Sequence, residues 1–108
     1  MSVAGLEIRV DGDALRLSGR LDFTNAAAAY RAISARLVAG ITRIDLGALG
    51  QADSATLACL LAWRAQSARA GRTLVFAALP ESLRALAQVS GVDGLLQEST
   101  SAAVSAPA

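Results

Sequence analysis

The sequence predicts a single α/β domain: a mixed sheet of about four strands with an N-terminal hairpin and helices packed against it. Two short segments near the start alternate apolar and polar residues, as strands with one buried face do. Apolar residues at helical spacing then alternate with apolar runs of strand length. The length of 108 residues fits one domain with a single core. The predicted order of elements is ββαβαβα.

The two alternating segments predict a β-hairpin. Residues 6–10 (LEIRV) and 14–18 (ALRLS) place apolar side chains at every second position. The three residues between them, DGD, are typical of a turn. We expect residues 19–23 to leave the sheet and lead into the first helix.

Helices and strands alternate along the rest of the chain. The predicted elements are a helix that begins after Thr24 or Asn25 and ends at Gly40, a strand over 41–46, a helix from Asp53 or Ser54 to Gly71, a strand over 73–77, and a helix from Pro80 to Gly91. One helix between two strands is a crossover, which predicts parallel pairing. We expect the domain to span residues 1–97 and the small, polar residues 98–108 to form a flexible tail.

The composition argues against several classes of function. The chain has no histidine and no lysine, and its ten basic residues are scattered arginines. Histidine-dependent nucleophilic catalysis, the usual structural zinc sites and the Walker A motif are therefore excluded. Clustered basic residues with interleaved aromatics, which nucleic-acid binding requires, are missing. We expect no catalytic residue, metal, cofactor or nucleic-acid partner.

Hydropathy and cysteine content bear on location. No apolar run reaches the roughly 20 residues of a membrane span, and the N-terminus lacks the pattern of a signal peptide. Cys59 is the only cysteine and cannot form an internal disulfide, which agrees with a reducing compartment. We expect a cytoplasmic protein that does not insert into a membrane.

The candidate functional residues lie where the second helix begins. Asp53 and Ser54 both suit the N-cap, because a side-chain oxygen there accepts hydrogen bonds from the first turn. A hydroxyl at a helix N-terminus can also carry or contact a phosphate, since this is the positive end of the helix dipole. Ser54 is therefore a possible phospho-acceptor.

One face of the second helix has an unusual composition. Helical spacing predicts a buried stripe of Leu57, Leu60, Leu61 and Ala68. The opposite face carries Ala55, Cys59, Ala62, Trp63, Gln66 and Ala70, with Thr56 at one edge. Small residues around a single aromatic side chain suit a docking surface. In the alternative interpretation, Trp63 packs under a neighbouring element and the alanines reflect composition.

Several segments together resemble the STAS domain family over roughly residues 5 to 97. They are the hairpin with SGRLDF after it, the strand ITRIDL, the turn ADSATL and the run GRTLVFAALPESLRALAQVSGV. Within the family, the chain is most similar to the small cytoplasmic STAS subunit (MlaB-like) of bacterial Mla phospholipid transport systems. That subunit pairs with an ABC ATPase at the inner membrane. More distantly, the chain resembles anti-anti-sigma factors, which bind an anti-sigma kinase and are switched by phosphorylation.

The resemblance implies a partner and a binding surface. It implies an accessory subunit that binds and stabilises or activates an ABC transporter ATPase, cytoplasmic and held at the inner membrane by that partner. The alternative is an anti-anti-sigma factor regulated by phosphorylation of Ser54. The family's Asp–hydroxyl pair falls on Asp53 and Ser54, and its binding surface on the turn and the second helix. The predicted contact residues are Asp53, Ser54, Ala55, Thr56, Cys59, Ala62, Trp63 and Gln66.

The chain departs from the family pattern at two positions. Many members have glycine where this chain has Thr56, and some branches have a second hydroxyl where this chain has Ala55. The missing second hydroxyl argues against regulated phosphorylation, while a constitutive contact through Ser54 is unaffected. The transported lipid, the sigma factor and the oligomeric state of the isolated chain stay open.

Overall fold

A computed structural model describes residues 1–96 of the chain. The elements are β1 (Ser2–Val3), β2 (Leu6–Asp11), β3 (Ala14–Leu21), α1 (Ala26–Val38), β4 (Arg43–Ala52), α2 (Ser54–Arg69), β5 (Val75–Ala77), α3 (Glu81–Val89) and a final 3-10 turn (Asp93–Leu95). Within this part of the chain, none of the helices has both the length and the apolar character that crossing a membrane demands. The last residue of the predicted domain and the predicted tail, 98–108, lie outside the described residues.

The five strands form one mixed sheet in the order β1-β2-β3-β4-β5. β1, β2 and β3 are antiparallel neighbours, whereas β3, β4 and β5 pair in parallel through the crossover helices α1 and α2. The predicted α/β fold, its hairpin and its element order are confirmed. The additional strand, β1, contains only two residues, too few for a periodic pattern to reveal.

One face of the sheet carries the core and the other is polar. Because the strand order advances in one direction, right-handed crossovers bring α1 and α2 to the same face. Leu17, Ile44 and Phe76 on that face are fully buried. On the other face Arg16 is exposed and its Nε lies 3.7 Å from Asp45 Oδ2. A continuous apolar run, such as that at β5, is typical of a strand buried on both faces. In this sheet, however, helices cover one face and the other is polar.

The two strands that lead to the candidate site are longer than the sequence predicts. β3 continues to Leu21, and residues 47–52, expected as a loop, form the second half of β4. Two register irregularities accommodate this pairing. At Gly19, φ is +94° and a Cβ would lie only 2.5 Å from the carbonyl oxygen of Gly5, so the position requires glycine. Leu21 and Ala52 end side by side at the edge where α2 begins.

Candidate functional site at the start of α2

Asp53 is the N-cap of α2. Its Oδ1 accepts hydrogen bonds from the backbone N–H groups of Ala55, at 2.9 Å, and Thr56, at 3.3 Å. In return, the Thr56 hydroxyl accepts a hydrogen bond from the Asp53 N–H at 2.9 Å, which completes a capping box. Of the two predicted capping residues, Asp53 therefore fills the role. Ser54 is the first helical residue, and its side chain is exposed to solvent.

Thr56 also fastens the start of α2 to the sheet. Its side chain is completely buried, and its hydroxyl donates a short hydrogen bond to the carbonyl oxygen of Leu21, the last residue of β3. One hydroxyl thus joins the N-cap residue to the end of a core strand. Glycine at this position could make neither bond. The departure from the family pattern therefore has a structural consequence, which is a firmly held helix start.

The second carboxylate oxygen of Asp53 holds the loop between β3 and α1. Asp53 Oδ2 accepts a hydrogen bond from the backbone N–H of Phe23 at 3.1 Å. The Phe23 side chain is 78% exposed although it is large and apolar. The backbone of Phe23 lies beside the start of α2 because both segments donate to the same carboxylate. The sequence pattern places Phe23 only in the segment that leaves the sheet, and its one further signal is an aromatic residue inside the polar turn DFTN.

The rest of this loop is ordered by its own polar side chains. Asp22 Oδ1 accepts hydrogen bonds from the backbone N–H and the hydroxyl of Thr24. The Thr24 hydroxyl is the main reason why the pKa of the Asp22 carboxyl lies below its ordinary value, and the nearby Arg20 guanidinium acts in the same direction. Asn25 is buried, accepts from the Asp22 N–H and donates to the carbonyl oxygen of Arg20 at 2.8 Å. Asp22 therefore stays ionised at neutral pH.

The exposed part of α2 is narrower than predicted. Ser54 and Ala58 are exposed, and Ala55 and Ala62 are half-buried beside them. Ala58 was missed by the sequence analysis. These four residues form what we call the α2 docking surface. Its small side chains leave the helix backbone accessible to a close neighbour.

The prediction that Cys59 and Trp63 face solvent is wrong. Trp63 is fully buried, and its ring stacks on that of Tyr30 with centroids 6.4 Å apart and an interplanar angle of 8°. The indole Nε1 donates to the carbonyl oxygen of Tyr30 at 3.4 Å. Cys59 is 6% exposed, with its Sγ 3.8 Å from the carbonyl oxygen of Ala26. The alternative interpretation of Trp63 is therefore correct.

The physical reason is that α2 packs against α1 as well as the sheet. Gln66, expected on the outer face, is half-buried and donates through Nε2 to the carbonyl oxygen of Ser34 in α1 at 3.0 Å. Conversely, Leu61 and Ala68, expected in the buried stripe, are half-buried and exposed respectively. Thr56, placed at the edge of the outer face, is buried as well. Because α2 packs against α1, α3 and the sheet, it buries more than the single stripe that helical spacing suggests.

Burial also determines the chemistry of the Cys59 thiol. Removal from water raises the pKa of this thiol above its ordinary value, and the negative charge of Asp53 raises it further. The thiol is therefore protonated near neutral pH, which makes it a poor nucleophile.

Among residues 1–96, no three His, Cys, Asp or Glu side chains are grouped so that they could hold a metal ion.

The arrangement at the start of α2 suits contact with a protein better than capture of a free anion. Anions bind at helix N-termini through N–H groups that lack partners. Here Asp53 already occupies the N–H groups of Ala55 and Thr56, and its carboxylate would repel a bound anion. The Ser54 hydroxyl stays exposed and free to meet a partner's surface.

The fold is similar to those of anti-sigma factor antagonists. SpoIIAA in its unphosphorylated form matches with a TM-score of 0.67 and 17% identity, over 87% of each chain. An anti-sigma factor antagonist from Mycobacterium paratuberculosis matches with a TM-score of 0.67 and 21% identity, over 84% of this chain and 80% of that chain. Phosphorylated SpoIIAA from Bacillus matches with a TM-score of 0.62 and 15% identity, over 87% and 90%. At these identities the similarity shows the fold alone.

A family model gives a more specific assignment. The model described as "Mlab, STAS domain" matches residues 4–97. No curated protein sequence matches closely enough to support an argument. The matched region includes every element of the structure from β2 to α3, and with them the start of α2. The protein therefore belongs to the STAS domain family, in the group described as Mlab.

Proposed function

We propose that this protein is a non-catalytic accessory subunit of a Mla-type phospholipid transport complex. It binds the ABC ATPase of that complex and stabilises or activates it through the α2 docking surface. The observation that carries the proposal is the exposed Ser54 hydroxyl at the tip of a rigidly capped helix, in a chain of the Mlab group.

Two physical properties support this use of the surface. Small side chains at Ala55, Ala58 and Ala62 let a partner approach the helix backbone closely. The start of α2 is held by the capping box and by the bond from Thr56 to Leu21. A surface that is ordered before binding loses little conformational entropy when the partner docks.

The experiment is a pull-down of the tagged protein from its source bacterium. We expect the wild-type chain to retain an ABC ATPase together with its membrane permease. Ser54→Arg and Ala58→Arg each place a long charged side chain on the docking surface and should reduce the retained ATPase at least tenfold. Ser90→Arg is the control, because Ser90 is an exposed C-cap at the far end of α3. Undiminished ATPase with both surface variants would contradict the proposal.

A second candidate function is an anti-anti-sigma factor that binds an anti-sigma kinase and is switched by phosphorylation of Ser54. The fold similarity to SpoIIAA in both phosphorylation states and the exposed Ser54 hydroxyl favour it. A phosphate would add nearly two negative charges beside Asp53. Two of the first-turn N–H groups that could compensate this charge, those of Ala55 and Thr56, are already bound to Asp53, which favours the transporter role. Recovery of a kinase, with a phosphorylated fraction by intact mass, would support the second candidate.

A further inference from the structure

We infer that Phe23 is the anchor residue of the interface and inserts into an apolar pocket of the partner protein bordered by a basic side chain. The inference rests on the proposed function. It adds a residue outside α2 and specifies the chemistry of the surface that receives it.

Phe23 has no packing role that would explain a large apolar side chain. It is 78% exposed, whereas Trp63 and Phe76 are fully buried and Tyr30, at 38%, stacks on Trp63. It is therefore the most exposed of the four aromatic residues. Aromatic side chains carry a large share of binding energy when a partner's pocket removes them from water.

The backbone around Phe23 is fixed before any partner binds. The Phe23 N–H donates to Asp53, and the neighbouring Thr24 N–H donates to Asp22 Oδ1 at 2.9 Å. The buried Asn25 side chain closes the loop through its bonds to Asp22 N and Arg20 O. Binding therefore has to order only the phenyl ring, which keeps the entropy cost of using it as an anchor small.

Asp53 also sets the position of Phe23 relative to the α2 docking surface. Its Oδ2 binds the Phe23 N–H, and its Oδ1 binds the N–H groups of Ala55 and Thr56. One carboxylate thus holds the backbone of Phe23 against the first turn of α2, of which Ser54 is the first residue. Because both residues are exposed and their segments are joined through Asp53, a partner that covers Ser54 and the loop before α1 would bury the phenyl ring as well.

Charge indicates what borders the pocket. Two carboxylates, Asp22 and Asp53, flank the Phe23 backbone. Arg20 pairs with Asp22, its Nε lying 3.1 Å from Oδ2. By contrast, no arginine within residues 1–96 forms a salt bridge with Asp53. Asp53 accepts hydrogen bonds from backbone N–H groups, but these carry no net charge, so its negative charge beside an apolar anchor is complementary to an apolar pocket that has Arg or Lys at its edge.

The test is the affinity of the purified protein for the purified ATPase, measured by isothermal titration calorimetry. We expect Phe23→Ala to weaken binding at least tenfold, and Phe23→Leu to weaken it less because an apolar side chain remains. Val89→Ala is the matched control: Val89 is 86% exposed, at the far end of α3, and its removal should leave the affinity unchanged. Raising the salt concentration from 50 to 500 mM should weaken wild-type binding severalfold.

The outcomes separate this inference from the proposed function. If Phe23→Ala binds the ATPase with an affinity within twofold of wild type while Ser54→Arg binds more weakly, the role of Phe23 as an anchor is refuted and the proposed function stands. A melting temperature lowered by several degrees in Phe23→Ala would show that the ring packs in the fold and would also overturn the anchor. An affinity for the ATPase that does not change with salt concentration would refute the basic side chain at the edge of the partner's pocket. A wild-type chain that does not bind the ATPase would overturn both proposals.

Discussion

Replacing Thr56 with valine tests whether a single buried hydroxyl holds the start of α2 on the sheet. Valine has nearly the same shape as threonine, so packing is preserved and only the hydrogen bonds are lost. The carbonyl oxygen of Leu21 loses its donor, and the N–H of Asp53 loses its acceptor. The bond to the Leu21 carbonyl oxygen is buried, whereas the bond from the Asp53 N–H is partly buried.

The expected magnitude follows from these two unsatisfied groups. Leaving a buried polar group without its partner costs about 1–3 kcal/mol. Because the Asp53 N–H is only partly buried, we expect a combined loss of about 2–4 kcal/mol in the free energy of unfolding. In a domain of this size, that corresponds to a melting temperature lower by roughly 8–16 °C. Thr56→Ser keeps the hydroxyl and loses one methyl group, so it should cost only about 1 kcal/mol.

Urea denaturation followed by the fluorescence of Trp63 measures both variants, because this single tryptophan is buried in the folded state. The prediction is that the valine variant is less stable than the serine variant. A valine variant as stable as the serine variant, or more stable, would refute the role of the hydroxyl. Packing of the Thr56 methyl group would then be its main contribution.

Two further predictions concern the interior of α2. Trp63→Ala should lower the free energy of unfolding by about 3–5 kcal/mol, because it empties a fully buried site between α1 and α2; a variant of unchanged stability in urea that only lost partner binding would contradict this. The Cys59 thiol, with its raised pKa, should react slowly with a thiol reagent at pH 8 in the folded protein and rapidly after unfolding. Above about pH 8.5 the unfolded chain releases the Cys59 proton while the folded chain retains it. The free energy of unfolding should therefore fall as pH rises, and Cys59→Ala should lack this contribution to its pH dependence.

The elements that the sequence predicts well are those with local signals. Alternation around the DGD turn locates the hairpin, and the glycines at positions 40 and 71 lie just beyond the ends of α1 and α2. Parallel pairing of β3, β4 and β5 follows from having one helix between successive strands. None of these inferences depends on contacts between residues that are distant in the sequence.

The features that the sequence does not predict depend on such contacts. The glycines of β4 signal a loop locally. Gly47 and Gly50 fall at the two register irregularities, but pairing of the residues beside them with β3 keeps the segment in the sheet. A helix with a single buried face would have Trp63 on its outside. The packing of α1 beside α2 creates a further buried face, and Trp63 lies on it.

Asp53 and Ser54 are equivalent candidates for the cap in the sequence, and the capping box between Asp53 and Thr56 distinguishes them in the structure. The further bond from the Phe23 N–H to Asp53 joins residues 30 positions apart, so no local pattern predicts it. An exposed aromatic residue in a four-residue loop has no periodic pattern at all.

Amide hydrogen exchange of the protein alone and bound to the ATPase tests the central claim most directly, because it maps the interface without any substitution. The account predicts slower exchange on binding in two segments, residues 22–25 and residues 53–62. It predicts little change at the far ends of α1 and α3 and on the polar face of the sheet. Protection confined to those distant regions, with residues 53–62 unchanged, would contradict the assignment of the partner surface to the start of α2.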